Sequence, residues 1–304
     1  MLSRDDKPAA KAILDKRKLQ SLGILLPIRL SALSFFSGRH PLGRVGDGMR
    51  FLRTRPFESG QDNPRDIDKF SPPGEFWINE WEAEAQASIM IYADVSASML
   101  FESKAALLHL TLLQLTYSLW RASDRVRTTL YHEAKQQLVA ERNLRSQLER
   151  LTVELNHGGL QVGRNAIDVL TEHASNRRSV RDDLVFVVSD FCPLAADSAA
   201  ENVYDWRAVI RTLSSDVVPI TVSFELAAGQ RGAIRLWDAE RRQHRLTMLT
   251  SSRITAINAA ERARVDKLQT FFRGLGLDHL VLRRERDVYP ELARLARWRR
   301  RRRH

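Results

Sequence analysis

Short apolar runs alternate with longer stretches of helical periodicity through most of this 304-residue chain. Ile89 to Ala93 is continuously apolar, the pattern of a strand buried on both faces of a parallel sheet. Lys104 to Trp120 follows, with Leu107, Leu108, Leu112, Leu115 and Leu119 among leucines at helical spacing. Asp124 to Tyr131 reads as a second strand, Asn143 to Leu151 as a helix and, after the Gly158-Gly159 turn, Arg164 to Ala174 as another. Leu184 to Ser189 is a β-branched strand, Val203 to Leu213 a helix and Val217 to Phe224 a strand. Beyond these, Ala233 to Asp238 and Arg245 to Leu249 suggest a hairpin, Arg253 to Leu275 a long helix, His279 to Leu282 a last strand and Val288 to Trp298 a last helix. Strands alternating with helices predict βαβ units with right-handed crossovers, and so an α/β fold with a doubly wound, mostly parallel, Rossmann-like sheet.

The first 85 residues break this rhythm. Lys11 to Gln20 is helical in pattern, Gly38, Gly43, Gly46 and Gly48 read as turns, Phe57 to Gly74 is polar and turn-rich, and Phe76 to Glu84 reads as a strand leading into the core. The glycines do not form a phosphate loop, since no G-x-x-x-x-G-K-[ST] occurs. The chain therefore divides into an N-terminal module (1–85), an α/β domain (86–296) and an Arg-rich tail (297–304). Within the module, Asp62, Arg65 and Asp68 are expected to form an ion-pair network at the junction.

Composition narrows the class. Hydrophobic content of 43% supports a substantial core, and the single cysteine, Cys192, excludes an internal disulfide framework and suits a reducing cytoplasm. The most apolar segment, Leu22 to Phe36, is too short to span a bilayer and contains Arg29, while the charged start lacks the form of a secretory signal, so a cytoplasmic location is expected. The net charge of +11 is concentrated at the ends. Residues 1–56 carry twelve basic against four acidic side chains and the tail carries six arginines, which leaves residues 57–296 at −3. The globular body is thus slightly acidic, and the basicity sits at the two ends. Arg299, Arg300, Arg301, Arg302 and Arg303, with Trp298, remain a candidate anion-binding tail, with a solvated charge run as the alternative.

The candidate chemistry sits where the first regular strand ends. Asp94-Val95-Ser96-Ala97-Ser98 places a carboxylate and two hydroxyls at i, i+2 and i+4, a spacing that lets alternate side chains converge in a locally extended loop. Such oxygens suit a hard divalent cation, although Asp and Ser also cap helices. The strand ending at Ser189 delivers Asp190 in the same way. If the two strands are sheet neighbours, the paired carboxylates require a cation, a shared proton or a basic partner.

Asp94, Ser96 and Ser98 followed by Asp190 resemble the metal-ion-dependent adhesion site of von Willebrand factor A (vWA) domains. A narrower resemblance covers about Gly46 to Asp190, and more loosely reaches Leu292. Gly60-Gln61-Asp62-Asn63-Pro64-Arg65-Asp66-Ile67-Asp68, then Trp77 to Glu84, then Asp94 to Met99, look like the bacterial DUF58 family. The resemblance implies a vWA-like domain in which Mg²⁺ (or Mn²⁺ or Ca²⁺), held by Asp94, Ser96, Ser98 and Asp190, accepts a partner carboxylate. It also implies a non-enzymatic adaptor that works with a MoxR-type AAA+ ATPase, or with a client protein, in chaperone-like assembly or maturation. Three departures stand out. Leu160 occupies the place of the expected Thr, which leaves Gln161, a backbone carbonyl or water to compensate; Lys69 follows Ile67-Asp68 where Trp is usual; and the N-terminal membrane spans common in the family are missing. A metal-dependent hydrolase is the alternative function, but the second acid of haloacid-dehalogenase-like enzymes is replaced by Ser96, and no His lies near Cys192 in sequence.

Overall fold

A computed structural model describes residues 40–301, apart from 101–102, 123, 133–134, 157–163, 176–181, 193–198, 214, 228, 230–231 and 239–242. The expected helix at Lys11 to Gln20, the Leu22 to Phe36 segment, Gly38, the Gly158-Gly159 turn, Leu160, Gln161, Arg302 and Arg303 lie outside the described residues. The chain forms two compact units, one within Leu30–Ala87 and one containing Ser88–His304.

In the first unit, β1 (His40–Pro56) pairs antiparallel with β2 (Trp77–Ala85). Gly43, Gly46 and Gly48, expected to make turns, instead lie within β1. Its register slips between Pro41 and Val45 and again between Val45 and Arg50, both of which face Glu82, so Gly46 and Gly48 fall in the inserted stretch. A residue without Cβ suits an irregularity of this kind. Phe76 to Glu84 is a strand as expected, but it pairs with β1 and not with the large sheet.

The predicted ion-pair network is differently composed. Arg55 donates to both carboxylate oxygens of Asp62, at 2.7 and 2.6 Å, and to Glu80 at 2.6 Å, which also accepts from Arg53 at 2.6 Å. Arg65 and Asp68 serve the turn instead. The Arg65 amide donates to Asn63, and Asp68 accepts from the Phe70 amide. Sequence proximity suggested Arg65, but the β1–β2 register sets Arg53 directly opposite Glu80 and Arg55 opposite Ile78, one diagonal step from Glu80, so both guanidinium groups reach that carboxylate across the strand pair.

The second unit is the expected α/β domain. Its six-stranded sheet contains β3 (Ser88–Asp94), β4 (Arg125–His132), β5 (Lys135–Val139), β6 (Leu184–Ser189), β7 (Asp216–Val222) and β10 (Leu280–Leu282), in the order β10-β7-β6-β3-β4-β5. All pairings are parallel except β4–β5. The edge strand β5 was not evident in the sequence because Lys-Gln-Gln lacks an apolar signature, which an edge strand with solvent beside it does not need. The central strands are buried along almost their whole length, which accounts for their unbroken Val and Ile content.

Helices cover both faces. Helix α1 (Lys104–Arg121) packs against α2 (Leu144–Asn156) and α6 (Val288–Arg301). On the other face, α3 (Ala166–Ser175), α4 (Ala199–Leu213) and α5 (Ser251–Gly274) bury Leu170, Trp206 and Phe272 against Met90, Val187 and Val217. Trp206, Phe271 and Phe272 interlock edge to face, with ring centroids 5.3–6.3 Å apart. β8 (Gly232–Asp238) and β9 (Gln243–Leu249) form the expected hairpin as a separate antiparallel pair. Thr250 caps α5 by accepting from the Arg253 amide.

The C-terminal run departs from expectation. Helix α6 continues to Arg301, and Arg299 is buried with its guanidinium on Asp216, at the start of β7, and on Asp278. Arg299 is therefore a structural ion-pair residue and not part of a free anion-binding tail, because helical periodicity turns it inward while Arg297, Trp298 and Arg301 face solvent.

Candidate functional site at the switch point of the sheet

Numbered within the domain, the strand order is 3-2-1-4-5-6, the doubly wound order whose switch point lies between the first and fourth strands. These are β3 and β6. They are hydrogen-bonded neighbours with Ala93 opposite Val188, so Asp94 leaves one strand level with Ser189 on the other. One crossover runs toward β4 and the next toward β7, so a cleft opens between them at the carboxyl edge.

Four of the sequence-predicted residues meet in this cleft. Asp94, Ser96 and Asp190 are buried and Ser98 is partly buried. One oxygen of Asp94 accepts from the Ser96 amide at 2.9 Å, and the other from the Ser189 hydroxyl at 2.8 Å. The Ser96 and Ser98 hydroxyls lie 3.1 Å apart. Asp190 accepts from the Cys192 amide at 3.1 Å through one oxygen and from the ammonium of Lys104 at 2.9 Å through the other. Between residues 190 and 192 the backbone passes through Phe191 at φ +52°, a left-handed conformation that a buried aromatic residue rarely adopts and that costs about 1–3 kcal/mol. Backbone strain of this kind concentrates at functional sites.

Five contributors were missed in the sequence. Lys104 is 4% exposed; besides binding Asp190 it donates to the Ser98 carbonyl at 3.3 Å, and its nitrogen lies 5.3 Å from the centre of the Phe224 ring. Ser189 bridges Asp94 and the Phe191 amide, which it meets at 3.0 Å. Arg264 of α5 donates to the Asp190 carbonyl and pairs with Glu261, which in turn accepts from Ser223 at 2.6 Å. Of these, only Ser189, directly before Asp190 at a strand end, carried a readable signal. Lys104, Arg264, Glu261 and Ser223 lie on separate elements that only the fold brings together.

The two carboxylates divide their charge unequally. Burial and the nearby charge of Asp190 push the Asp94 carboxyl up to about 6. Burial pushes Asp190 the same way, but the ammonium of Lys104, with hydrogen bonds from Lys104 and the Cys192 amide, outweighs it and holds Asp190 below the ordinary carboxylate range. Although Cys192 is exposed as a residue, desolvation and the charge of Asp190 push its thiol up to about 12, which disfavours a thiolate nucleophile. His279 is held down to about 4 by burial, beside the Thr221 hydroxyl, as befits a structural histidine.

The donor atoms match a hard cation by type, but a positive charge from the protein itself already stands among them. All four carboxylate oxygens already accept from protein donors, and the ammonium of Lys104 occupies the side of Asp190 that faces Ser98. Among the described residues, no group of three or more His, Cys, Asp or Glu side chains is placed to hold a metal.

The sequence profile described as "Protein of unknown function DUF58" matches residues 53–267, a span from β1 into α5 that includes every residue of the cluster. The chain belongs to the DUF58 family. This DUF58 protein is similar to the conserved hypothetical protein BatB of Bacteroides thetaiotaomicron, with 12% identity over 69% of this chain and 99% of that one and a TM-score of 0.38. It is also similar to an aerotolerance-related membrane protein of Bacteroides fragilis, with 13% identity over 70% of this chain and 99% of that one and a TM-score of 0.44. A von Willebrand factor type A structure from Catenulispora acidiphila matches at 9% identity over 71% of this chain and 43% of that one, with a TM-score of 0.40. No curated protein matches the sequence. Among the described residues of this DUF58 protein, no helix is long and apolar enough to cross a membrane.

Proposed function

We propose that this DUF58 protein is a non-enzymatic docking module, a cytoplasmic adaptor that presents the carboxyl edge of its six-stranded sheet to an acidic segment of a partner protein. The partner expected from the family resemblance is an AAA+ ATPase of the MoxR type or its client. The observation that supports this reading is that each oxygen of Asp94 and Asp190 accepts from a protein donor and Asp190 is paired with the buried ammonium of Lys104, an arrangement suited to a scaffold.

Recognition then falls to the surface beside the cluster. A groove of about 820 Å³ is lined by Ser103, the residue preceding Lys104, and by Arg262, Arg283, Arg284 and Arg286, against Glu225 and Glu285. Four guanidinium groups against two carboxylates give local positive charge in a domain body that is otherwise slightly acidic. Arg284 and Arg262 are parked on Glu225 at 2.7 and 3.7 Å, in exposed pairs that an incoming carboxylate can replace at little cost. The planar fork of arginine matches a carboxylate in bidentate fashion, so an Asp- or Glu-bearing segment is the complementary ligand.

The test is affinity measurement between the full chain and the MoxR-type ATPase of the same cell, comparing the native protein with an Arg283→Glu/Arg284→Glu variant. Reversing two rim charges is expected to weaken binding by at least about tenfold while leaving the circular dichroism spectrum unchanged. Undiminished binding by the variant rejects the groove as the docking surface. Phosphatase or nuclease turnover by the purified protein that disappears in Asp94→Ala rejects the non-enzymatic reading.

A further inference from the structure

We propose that Lys104 is the resident cation of the switch-point cluster, standing where the adhesion-site pattern would have a divalent metal, so that the site assembles without a metal ion. The inference concerns how the cluster is held together and does not depend on which partner docks beside it.

The placement of Lys104 is hard to explain any other way. It is the first residue of α1, where the unpaired amides of the helix make the end positive and a cation is unfavourable. A lysine there would ordinarily extend into solvent, yet this side chain is 4% exposed and folds back onto the Ser98 carbonyl and Asp190. Burying an ammonium against its local helix preference requires a compensating charge. Asp190 supplies it at 2.9 Å, with its own side chain 2% exposed. The ring of Phe224, 5.3 Å from the nitrogen, adds a second favourable surface for positive charge.

The arrangement also closes the hydrogen-bonding of the loop. Lys104 ties Asp190, from the end of β6, to the Ser98 carbonyl, from the loop after β3, a cross-strand link that a metal ion would otherwise make. Arg264 holds the Asp190 carbonyl from the opposite side and is neutralised by Glu261. A divalent ion entering this space would lie within a few ångströms of a buried ammonium, and like charges in a poorly hydrated interior repel strongly. Leu160, in the position where the pattern has a metal-binding Thr, is consistent with a site that has given up its ion.

The test uses Mn²⁺ as a paramagnetic stand-in for Mg²⁺, titrated into the EDTA-treated 304-residue chain and followed by electron paramagnetic resonance and calorimetry. The native protein is expected to show no site at millimolar Mn²⁺, and its melting temperature to be unchanged by EDTA or Mg²⁺. Lys104→Ser, which removes the ammonium and adds a hydroxyl, is expected to acquire a Mn²⁺ site at least about tenfold tighter than any in the native protein, abolished by a further Asp94→Asn substitution. A Mn²⁺ site in the native protein that is lost in Asp94→Asn overturns the proposal. So does a folded Lys104→Ser variant that binds no more Mn²⁺ than the native protein. Should Lys104→Ser fail to fold, recovery of folding in Lys104→Met/Asp190→Asn supports the resident-cation role, and failure of that charge-balanced pair to recover counts against it.

Discussion

Asp94→Asn should make this protein more stable at neutral pH, and the gain should grow with pH. In the folded state Asp94 holds its proton up to about pH 6, against an ordinary value near 3.8. The native state therefore binds this proton more tightly than the unfolded chain does, so ionising Asp94 subtracts stability as pH rises from about 4 to about 6, and the loss is complete above that. Each tenfold difference in proton affinity between the folded and unfolded chains is worth about 1.4 kcal/mol, so the cost is on the order of 1–2 kcal/mol at pH 5 and about 3 kcal/mol at pH 7. Asparagine removes the charge but keeps both local contacts. Its carbonyl can accept from the Ser96 amide and its NH₂ can donate to Ser189, whose hydroxyl now accepts where it donated to Asp94. Urea unfolding of both proteins between about pH 5 and pH 8 measures the difference directly, because every other titrating group is common to the two. The expected result is a variant advantage that roughly doubles from pH 5 to pH 7 and then levels off. A variant that is less stable at pH 7, or a difference that does not change with pH, refutes the reasoning that burial and Asp190 strain this carboxylate.

Arg299→Met should destabilise the domain by roughly 3–5 kcal/mol in urea unfolding, because it takes from Asp216 and Asp278 the buried guanidinium they share, whereas Arg297→Ala, on the exposed face two residues earlier, should change stability by less than about 0.5 kcal/mol. Equal effects at the two positions would contradict the inward placement of Arg299. In the N-terminal unit, Asp62→Asn should speed limited proteolysis within residues 57–76, since Asp62 joins Arg55 to the Glu58 amide, with the latter at 2.8 Å. Hydrogen bonds from Arg55 hold the carboxyls of Asp62 and Glu80 below their ordinary values, so their support is present at neutral pH and is lost as pH falls through the folded-state values. Protection of this segment in the native protein should accordingly fade on acidification, and a pH-independent cleavage rate would exclude the network as its cause.

The sequence by itself determined the class of the fold and half of its site. Alternating apolar strands and leucine-rich helices report burial, and burial on both faces of β3, β6 and β7 leaves little room for any arrangement but a parallel sheet between helix layers. An acid or hydroxyl just past such a strand must emerge at the carboxyl edge, which is why Asp94, Ser96, Ser98 and Asp190 could be picked out from their spacing together with their position at strand ends. Only the tertiary structure decided what neutralises them. Lys104, at the end of a helix, carries no local sign of being buried, and Arg299 sits in a run of arginines that local composition marks as solvated tail. In each case the deciding quantity is the desolvation of a charge, offset by a carboxylate 86 or 83 residues away in sequence. The same holds for Arg55, which reaches Glu80 diagonally across the strand pair and Asp62 in the segment that connects the two strands. Local pattern fixes where the chain is apolar and where it turns, whereas the pairing of buried charges depends on distances that do not exist until the sheet has formed.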